Sequence, residues 1–191
     1  MSTLAYHHGD LKQTLLTLAA EALAAGEPLS LRKLAAAAGV SPAATYRHFR
    51  DKHALESALA AQGFAALDGQ LADLDIHTPG DLVRVAHTYL DFALAHPATF
   101  HLMFTTDCDP TSPDRVAAVD SITTTCLDLV AAAGIAPADA PAAMSAIWSF
   151  AHGITTLTLE GKLPSTAPAD AHRTIDQAWA AWAAMLNTHP A

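Results

Sequence analysis

The stretch Leu29–His53, LSLRKLAAAAGVSPAATYRHFRDKH, predicts the fold of the N-terminal part of this chain. Apolar residues recur at helical spacing over Leu31–Ala38, which predicts a short helix with one apolar face. Ser30 precedes this helix as a candidate N-cap, because its side-chain oxygen can accept a free N–H of the first turn. Gly39 supplies the backbone freedom that a helix end needs, and Val40 is expected to be buried in the turn.

A second short helix is predicted directly after this turn. Ser41 and Pro42 form an N-cap and first-turn pair, because a proline at the first helical position loses no hydrogen bond. The helix is predicted over Pro42–His48, and Asp51 is predicted to cap the helix that follows. Two helices joined by a turn that contains glycine are typical of a DNA-binding helix-turn-helix.

The distribution of charge supports a nucleic-acid partner for this segment. Leu29–His53 carries five basic side chains and one acidic side chain, which gives a net charge of +4. The whole chain of 191 residues has a formal charge of −9, so the remainder carries −13. A basic segment on an acidic protein is where a polyanion is expected to dock.

The same residues carry a family resemblance. With HHGDLKQTLLTLAAEAL before it, the segment resembles the N-terminal domain of the tetracycline-repressor (TetR) family of bacterial transcription regulators, over roughly residues 7–65. The resemblance rests on the L-R-x-L-A helix, the G-V-S turn, the Y-R-H-F block and the D-K start of a fourth helix. Further along, Trp148, His152 and Gly153 resemble the W…HG pattern of one branch of that family.

Ten residues are predicted to contact a double-stranded DNA operator. A recognition helix places its N-terminal residues against base edges in the major groove, where alanine and threonine methyls can touch thymine. Arg32, on the preceding helix, is the better candidate for reading a guanine, and the resemblance implies phosphate contacts for Tyr46, His48 and Lys52. The alternative is that these residues only solvate a small helical domain. The full set is Ser30, Arg32, Ser41, Pro42, Ala43, Ala44, Thr45, Tyr46, His48 and Lys52.

Composition predicts an all-α protein of about nine helices. The chain is 51% hydrophobic and poor in the β-branched and aromatic runs that strands prefer. A helix-turn-helix domain of three helices is predicted over residues 1–55, and a C-terminal effector-binding and dimerisation domain over 56–191. A helix of about residues 51–74 joins them. We expect a cytoplasmic protein, since the N-terminus does not resemble a signal peptide and the longest uncharged run, Ala140–Leu159, contains proline and glycine.

The resemblance implies a homodimer that pairs through its last two helices as a four-helix bundle. The apolar residues of these helices are the predicted interface, and the alternative is that they form the core of the monomer. The predicted interface residues are Met144, Ile147, Ala151, Ile154, Ile175, Trp179, Trp182 and Met185.

A pocket for an unknown small-molecule effector is predicted among the middle helices. Ligand sites are usually apolar clefts with a few polar groups. Aromatic residues at helical spacing are more often core, so that alternative stays open for each of them. The candidate walls are Tyr89, Phe92, Phe100, Phe104, Trp148 and His152.

Other chemistry is not predicted. The 11 histidines show no zinc-ligand spacing, so no metal and no cofactor are expected. Ser145, Ser149 and His152 share one predicted helix without a third catalytic group, so the protein is not expected to be an enzyme. Cys108 and Cys126 are too few for a disulfide framework, and a redox role for them stays open.

The sequence therefore predicts a DNA-binding transcription regulator, and more specifically a repressor that a small molecule releases from a palindromic operator. One alternative is an all-helical enzyme or carrier whose basic segment is incidental. Another is an architectural DNA binder without an effector. The large second domain favours regulation, because DNA binding alone does not need it.

Overall fold

The computed structural model describes residues 11–105, 109, 111–163 and 168–187. These residues form nine α-helices and one short 3₁₀ helix, and none of them lies in a β-strand, which confirms the all-α prediction. The helices are α1 Leu11–Ala24, α2 Leu31–Ala37, α3 Pro42–Tyr46, α4 Lys52–Ala72, α5 Val83–Ala95 with the 3₁₀ helix Pro79–Leu82 before it, α6 Pro97–Thr105, α7 Pro113–Ala132, α8 Ala140–Leu159 and α9 Pro168–Asn187.

The described residues divide into two compact units. The first unit contains the residues up to Ala65 together with His96–Asp120, and the second contains Ala66–Ala95 and the residues from Ser121 onward. Both α4 and α7 therefore contribute residues to each unit. The division at residue 55 that the sequence suggested stays a prediction.

The core of the first unit holds α2 and α3 in place for function. Leu15, Leu31 and Leu34 bring α1 and α2 together, and Phe49 enters the same cluster with only 2% of its surface exposed. Burying a side chain of this size stabilises a fold by about 1.5–3 kcal/mol. Leu55 of α4 completes this core, so α4 is packed against α1 and the helix-turn-helix.

The second unit is built on α5, which is buried along most of its length. Tyr89, Leu90 and Phe92 are each no more than 3% exposed. Helices α8 and α9 pack against α5 and contribute Ala151 and Ile175, both fully buried, to the same core. Ala151 and Ile175 thus mark the faces of α8 and α9 that turn towards the core.

Two glycines of α4 have opposite surroundings, which gives a test of the packing in the first unit. A Cβ at Gly63 would lie 2.6 Å from Sδ of Met103 and 2.9 Å from Cγ2 of Thr99, whereas a Cβ at Gly69 meets nothing within 4 Å. Gly69→Ala should raise the free energy of unfolding by about 1 kcal/mol through helix propensity. Gly63→Ala should lower it by about 1 kcal/mol, because overpacking outweighs the same gain. Urea unfolding checks both values, and equal stabilisation by both changes would contradict this packing.

Candidate nucleic-acid interface

The predicted helix-turn-helix is formed by α2, the turn after it and α3. Gly39 adopts a φ of +68°, the left-handed conformation that a side chain disfavours. The turn closes with hydrogen bonds from the N–H of Gly39 to Ala36 O at 3.1 Å and from the N–H of Val40 to Ala35 O at 2.9 Å. Val40 is only half-buried, whereas the sequence predicted that it would be buried in the turn.

Side-chain caps were predicted for α2, by Ser30, and for α4, by Asp51, and only the second one forms. Ser30 and Ser41 both occupy N-cap positions with extended backbone, but neither side chain makes a capping hydrogen bond. The predicted side-chain cap by Ser30 is therefore wrong. Asp51 does cap α4, since its Oδ1 accepts the N–H of Ala54 at 2.8 Å.

Helix α3 ends at Tyr46, two residues before the predicted end at His48. The N–H of His48 bonds to Thr45 O at 3.0 Å, a tighter turn than the α-helix makes. The chain bends here because Phe49 turns into the core. The recognition helix is therefore only five residues long.

Most of the ten predicted DNA contacts lie at the surface. Tyr46 is 50% exposed, while Ser30 and Ala44 are half-buried. Thr45 is the exception, because its side chain is fully buried on the same side of the chain as Phe49. The predicted contact of Thr45 with a base edge is therefore wrong for this conformation. The exposed members are Arg32, Ser41, Pro42, Ala43, Tyr46, His48 and Lys52.

The basic side chains around α3 take part in loose ion pairs. Nζ of Lys52 lies 3.0 Å from Oε1 of Glu56, and Nε of Arg50 lies 3.3 Å from Oδ2 of Asp51. More than half of each basic side chain is exposed. Exposed pairs of this kind contribute about 0–1 kcal/mol, so a phosphate can replace the carboxylate at little cost.

Asp109 is a residue of this surface that the sequence did not reveal. It is 8% exposed, and its Oδ1 accepts the N–H of Thr111 at 2.9 Å and the hydroxyl of Thr111 at 2.6 Å. These hydrogen bonds, with a smaller contribution from Arg50, hold the pKa of the Asp109 carboxyl below its usual range. Its Oδ2 lies 3.4 Å from Nη2 of Arg50. The carboxylate therefore stays ionised and forms an ion pair with Arg50 of the basic segment. Asp109 and Tyr46 both line a cleft of about 360 Å³.

Comparison with family models decides the family. Residues 15–59 match the model described as bacterial regulatory proteins, tetR family, and residues 82–182 match a tetracyclin repressor-like C-terminal domain. The chain belongs to the TetR family. TetR-family proteins are DNA-binding transcription regulators and are generally not enzymes, so the helix-turn-helix described above is the DNA-binding part of a regulator. The W…HG branch stays a prediction.

Several solved structures share this fold. A protein of unknown function from Rhodococcus sp. RHA1 is 33% identical, with 94% of this chain and 98% of that chain covered and a TM-score of 0.76. A tetR-family transcriptional regulator from Streptomyces coelicolor is 23% identical over 94% of this chain and 83% of that chain, with a TM-score of 0.70. A TetR variant from Acinetobacter baumannii AYE, in complex with minocycline, is 21% identical over 95% and 98%, with a TM-score of 0.61. No curated protein sequence matches the chain.

The predicted effector-pocket residues of this TetR-family protein do not all belong to one unit. Phe100 and Phe104 lie in the first unit, where Phe104 packs edge-on against Phe64 with ring centroids 5.4 Å apart. Tyr89 and Phe92 are buried in the second unit and belong to its core. The burial of Tyr89, Phe92 and Phe100 favours the alternative that they stabilise the fold, and Phe104 is half-buried.

The two remaining predicted pocket residues, Trp148 and His152, are less buried than the core aromatics. The hydroxyl of Tyr89 lies 2.9 Å from Nδ1 of His152. Burial raises the pKa of Tyr89 and lowers that of His152, so the phenol keeps its proton and donates a hydrogen bond to a neutral imidazole. Trp148 is 52% exposed, so it does not line an enclosed pocket.

The predicted dimer residues lie mostly on the inward face of α8 and α9. Ile147, Ala151, Ile154 and Ile175 are each no more than 9% exposed within the single chain. Trp179 and Trp182 are half-buried against the ring of Phe150, and Met144 is half-buried as well. For these four residues the burial favours the alternative that they form the core of the monomer, and their place in an interface stays a prediction. Met185, at 62% exposed, remains available.

The exposed face of α8 is a different set of residues. Ser145 and Ser149 are exposed one turn apart, and Ser149 lies between the directions of Trp148 and Leu157 on the helical wheel. Leu157 is 43% exposed. A Cβ at Gly153, one turn beyond Ser149, would meet nothing within 4 Å. This face, with small residues between two large apolar ones, leaves room for another helix to approach closely.

The remaining sequence expectations concern reactive groups. Burial, with a smaller contribution from Asp68, raises the pKa of the Cys126 thiol to about 11, which makes it a poor nucleophile. Cys108 lies outside the described residues. The Ser145 hydroxyl donates to the carbonyl of Pro141 at 2.9 Å. Within the described ranges no three or more histidine, cysteine or acidic residues gather as metal ligands, and no helix could span a membrane.

Proposed function

We propose that this protein is a repressor that binds a palindromic operator as a homodimer and leaves it when a small molecule binds. The observation that carries the proposal is the exposed basic surface of the helix-turn-helix, with Arg32 on α2, Tyr46 on α3 and Lys52 at the start of α4. The protein would act in the cytoplasm, where the chromosome of a bacterium lies.

The proposed DNA contacts have distinct tasks. Arg32 would donate two hydrogen bonds to a guanine, a contact that discriminates bases by about 1–3 kcal/mol. Exposed Pro42 and Ala43, at the start of α3, would touch the edges of bases, with half-buried Ala44 behind them. The remaining members would bind phosphates and fix the register of the protein on the duplex. These are Ser30, Ser41, Tyr46, His48 and Lys52.

The proposed homodimer uses the exposed face of α8 and the adjoining part of α9. Trp148 and Leu157 on α8 and Met185 on α9 are large apolar side chains at the surface of the single chain. A palindromic operator needs two recognition helices about 34–36 Å apart, which requires a fixed pairing of two copies. The family resemblance supports pairing through the last two helices.

An effector site is proposed in the second unit. An apolar cleft of about 360 Å³ is lined by Leu82, Ile147, Trp179 and Trp182 among others. Pockets for small molecules have volumes of about 300–1,000 Å³ and are mostly apolar. The minocycline complex of the Acinetobacter baumannii relative supports a small-molecule effector. Coupling of about 1–3 kcal/mol would change operator affinity by about 5–150-fold.

Two substitutions test the proposed DNA contacts. Lys52→Ala should weaken binding about tenfold on every DNA sequence and reduce the dependence of log K on log salt by about one unit, because it removes a phosphate contact. Arg32→Ala should lower the preference for the specific site by about 1–3 kcal/mol. Fluorescence anisotropy at several salt concentrations measures both effects.

Lys162→Ala is the matched control, because it removes the same charge from an exposed position of the second unit. It should change neither the affinity nor the salt slope beyond the small effect of net charge. An equal loss of affinity in the Lys52 and Lys162 variants would contradict the proposed surface.

A further inference from the structure

Four side chains of α5 and α9 form a continuous series of polar contacts in the second unit. Nδ1 of His87 and Nδ1 of His172 lie 3.1 Å apart. Nε2 of His87 lies 2.8 Å from Oδ1 of Asp176, and Nε2 of His172 lies 2.6 Å from Oδ1 of Asp91. The two imidazoles thus lie between two carboxylates, in the order Asp176, His87, His172 and Asp91. Their side chains are 21% and 34% exposed, so small ions can reach them.

The two carboxylates determine which ring nitrogens carry protons. An ionised carboxylate only accepts hydrogen bonds, so each Nε2 must donate. A neutral imidazole that is protonated at Nε2 has a lone pair at Nδ1. Two neutral rings would therefore point two lone pairs at each other across 3.1 Å. A cation between the two Nδ1 atoms removes this repulsion, and it is either a shared proton or a metal ion.

The ring positions fit a metal ion between the two Nδ1 atoms and do not fit a straight N–H···N bond. A transition metal lies about 2.0–2.1 Å from each histidine nitrogen, so ligands 3.1 Å apart subtend about 95–100° at the ion. With about 1.1 Å from ring centre to nitrogen, that angle places the ring centroids about 4.8 Å apart. A straight N–H···N bond would place them about 5.3 Å apart. The observed separation is 4.7 Å.

We propose that His87 and His172 bind one divalent transition-metal ion, of the zinc, nickel or copper class, through their Nδ1 atoms. Asp176 and Asp91 orient the two rings, in the arrangement of carboxylate, histidine and metal that is common around protein metal sites. Water or a small anion fills the remaining positions of the ion. Because α5 supplies one ligand and α9 the other, the ion joins these two helices independently of DNA binding.

The test is a titration of the untagged, chelator-treated protein with zinc and, separately, nickel chloride. Isothermal calorimetry should show about one ion per chain. The melting temperature should rise by about 5 °C at a hundredfold excess over the dissociation constant. His87→Gln and His172→Gln should each abolish both effects.

His77→Gln is the matched control. Nε2 of His77 lies 2.9 Å from Oδ1 of Asp75, so it is also a histidine paired with a carboxylate, but its side chain is 74% exposed. Binding to this variant should equal that of the unmodified protein. Loss of binding in His77→Gln with retention in His87→Gln would overturn the proposal.

The carboxylates provide a second line of test that leaves both ligands in place. Asp91→Asn and Asp176→Asn should weaken the affinity for the ion by about 10–100-fold without abolishing it. Because these variants keep both histidines, they test the metal site even if a histidine variant does not fold. Absence of stoichiometric binding to the unmodified protein would overturn the metal site, and unchanged affinity in both asparagine variants would overturn the role of the two carboxylates.

Discussion

Replacing Ser149 by arginine is expected to convert the proposed dimer into a monomer. Ser149 lies on the exposed face of α8, between the directions of Trp148 and Leu157. In a two-fold interface each copy would bring its new guanidinium towards the other, and burying charges without partners costs several kcal/mol. The dissociation constant of the dimer should rise by more than about 100-fold, since each 1.4 kcal/mol is a factor of ten.

Sedimentation velocity measures this change, because a single chain has a mass of 19.9 kDa. Affinity for a palindromic operator should fall with the dimer, since a monomer can hold only one half-site. Gln70→Arg, at an exposed position of α4, is the control and should remain dimeric. A dimeric Ser149→Arg protein would place the interface on another surface.

Phe49→Ala is expected to unfold the helix-turn-helix. The ring is 2% exposed in the core that α1, α2 and α4 share. Truncation of a buried phenylalanine costs about 3–5 kcal/mol, a large part of the roughly 5–15 kcal/mol that stabilises a typical domain. Urea unfolding followed by circular dichroism should show the loss, and DNA binding should disappear with it.

Tyr46→Ala separates this structural role from a contact role. Tyr46 is an aromatic residue three positions earlier and is 50% exposed. Its truncation should change the free energy of unfolding by less than about 0.5 kcal/mol and still weaken DNA binding about tenfold. If Tyr46→Ala destabilises the fold as much as Phe49→Ala, the two aromatics do not have the separate tasks described above.

Local sequence signals were sufficient for the helix-turn-helix. Gly39 marks the turn because its φ of +68° suits glycine, and Pro42 marks the start of α3 because the first turn needs no N–H from it. The same signals could not show that Thr45 points inward. A helix of five residues has too few positions for its pattern to show which side meets the core.

Contacts between distant parts of the chain could not be predicted in this way. Arg50 and Asp109 are 59 positions apart, and His87 and His172 are 85 apart, so no spacing rule links them. The sequence likewise could not show that Ile147, Ala151, Ile154 and Ile175 of the predicted interface are buried within the single chain. The apolar pattern of α8 identifies its most buried face, but whether α5 or a second copy covers that face depends on the tertiary structure.

Binding to operator DNA is the central claim, and a salt-titrated assay tests it most directly. The unmodified protein is titrated onto the DNA immediately upstream of its own gene, with random DNA as competitor. We expect specific binding by two chains per site, with log K falling by about 0.9 per phosphate contact for each unit of log salt. Absence of binding to either DNA at low salt would contradict the account.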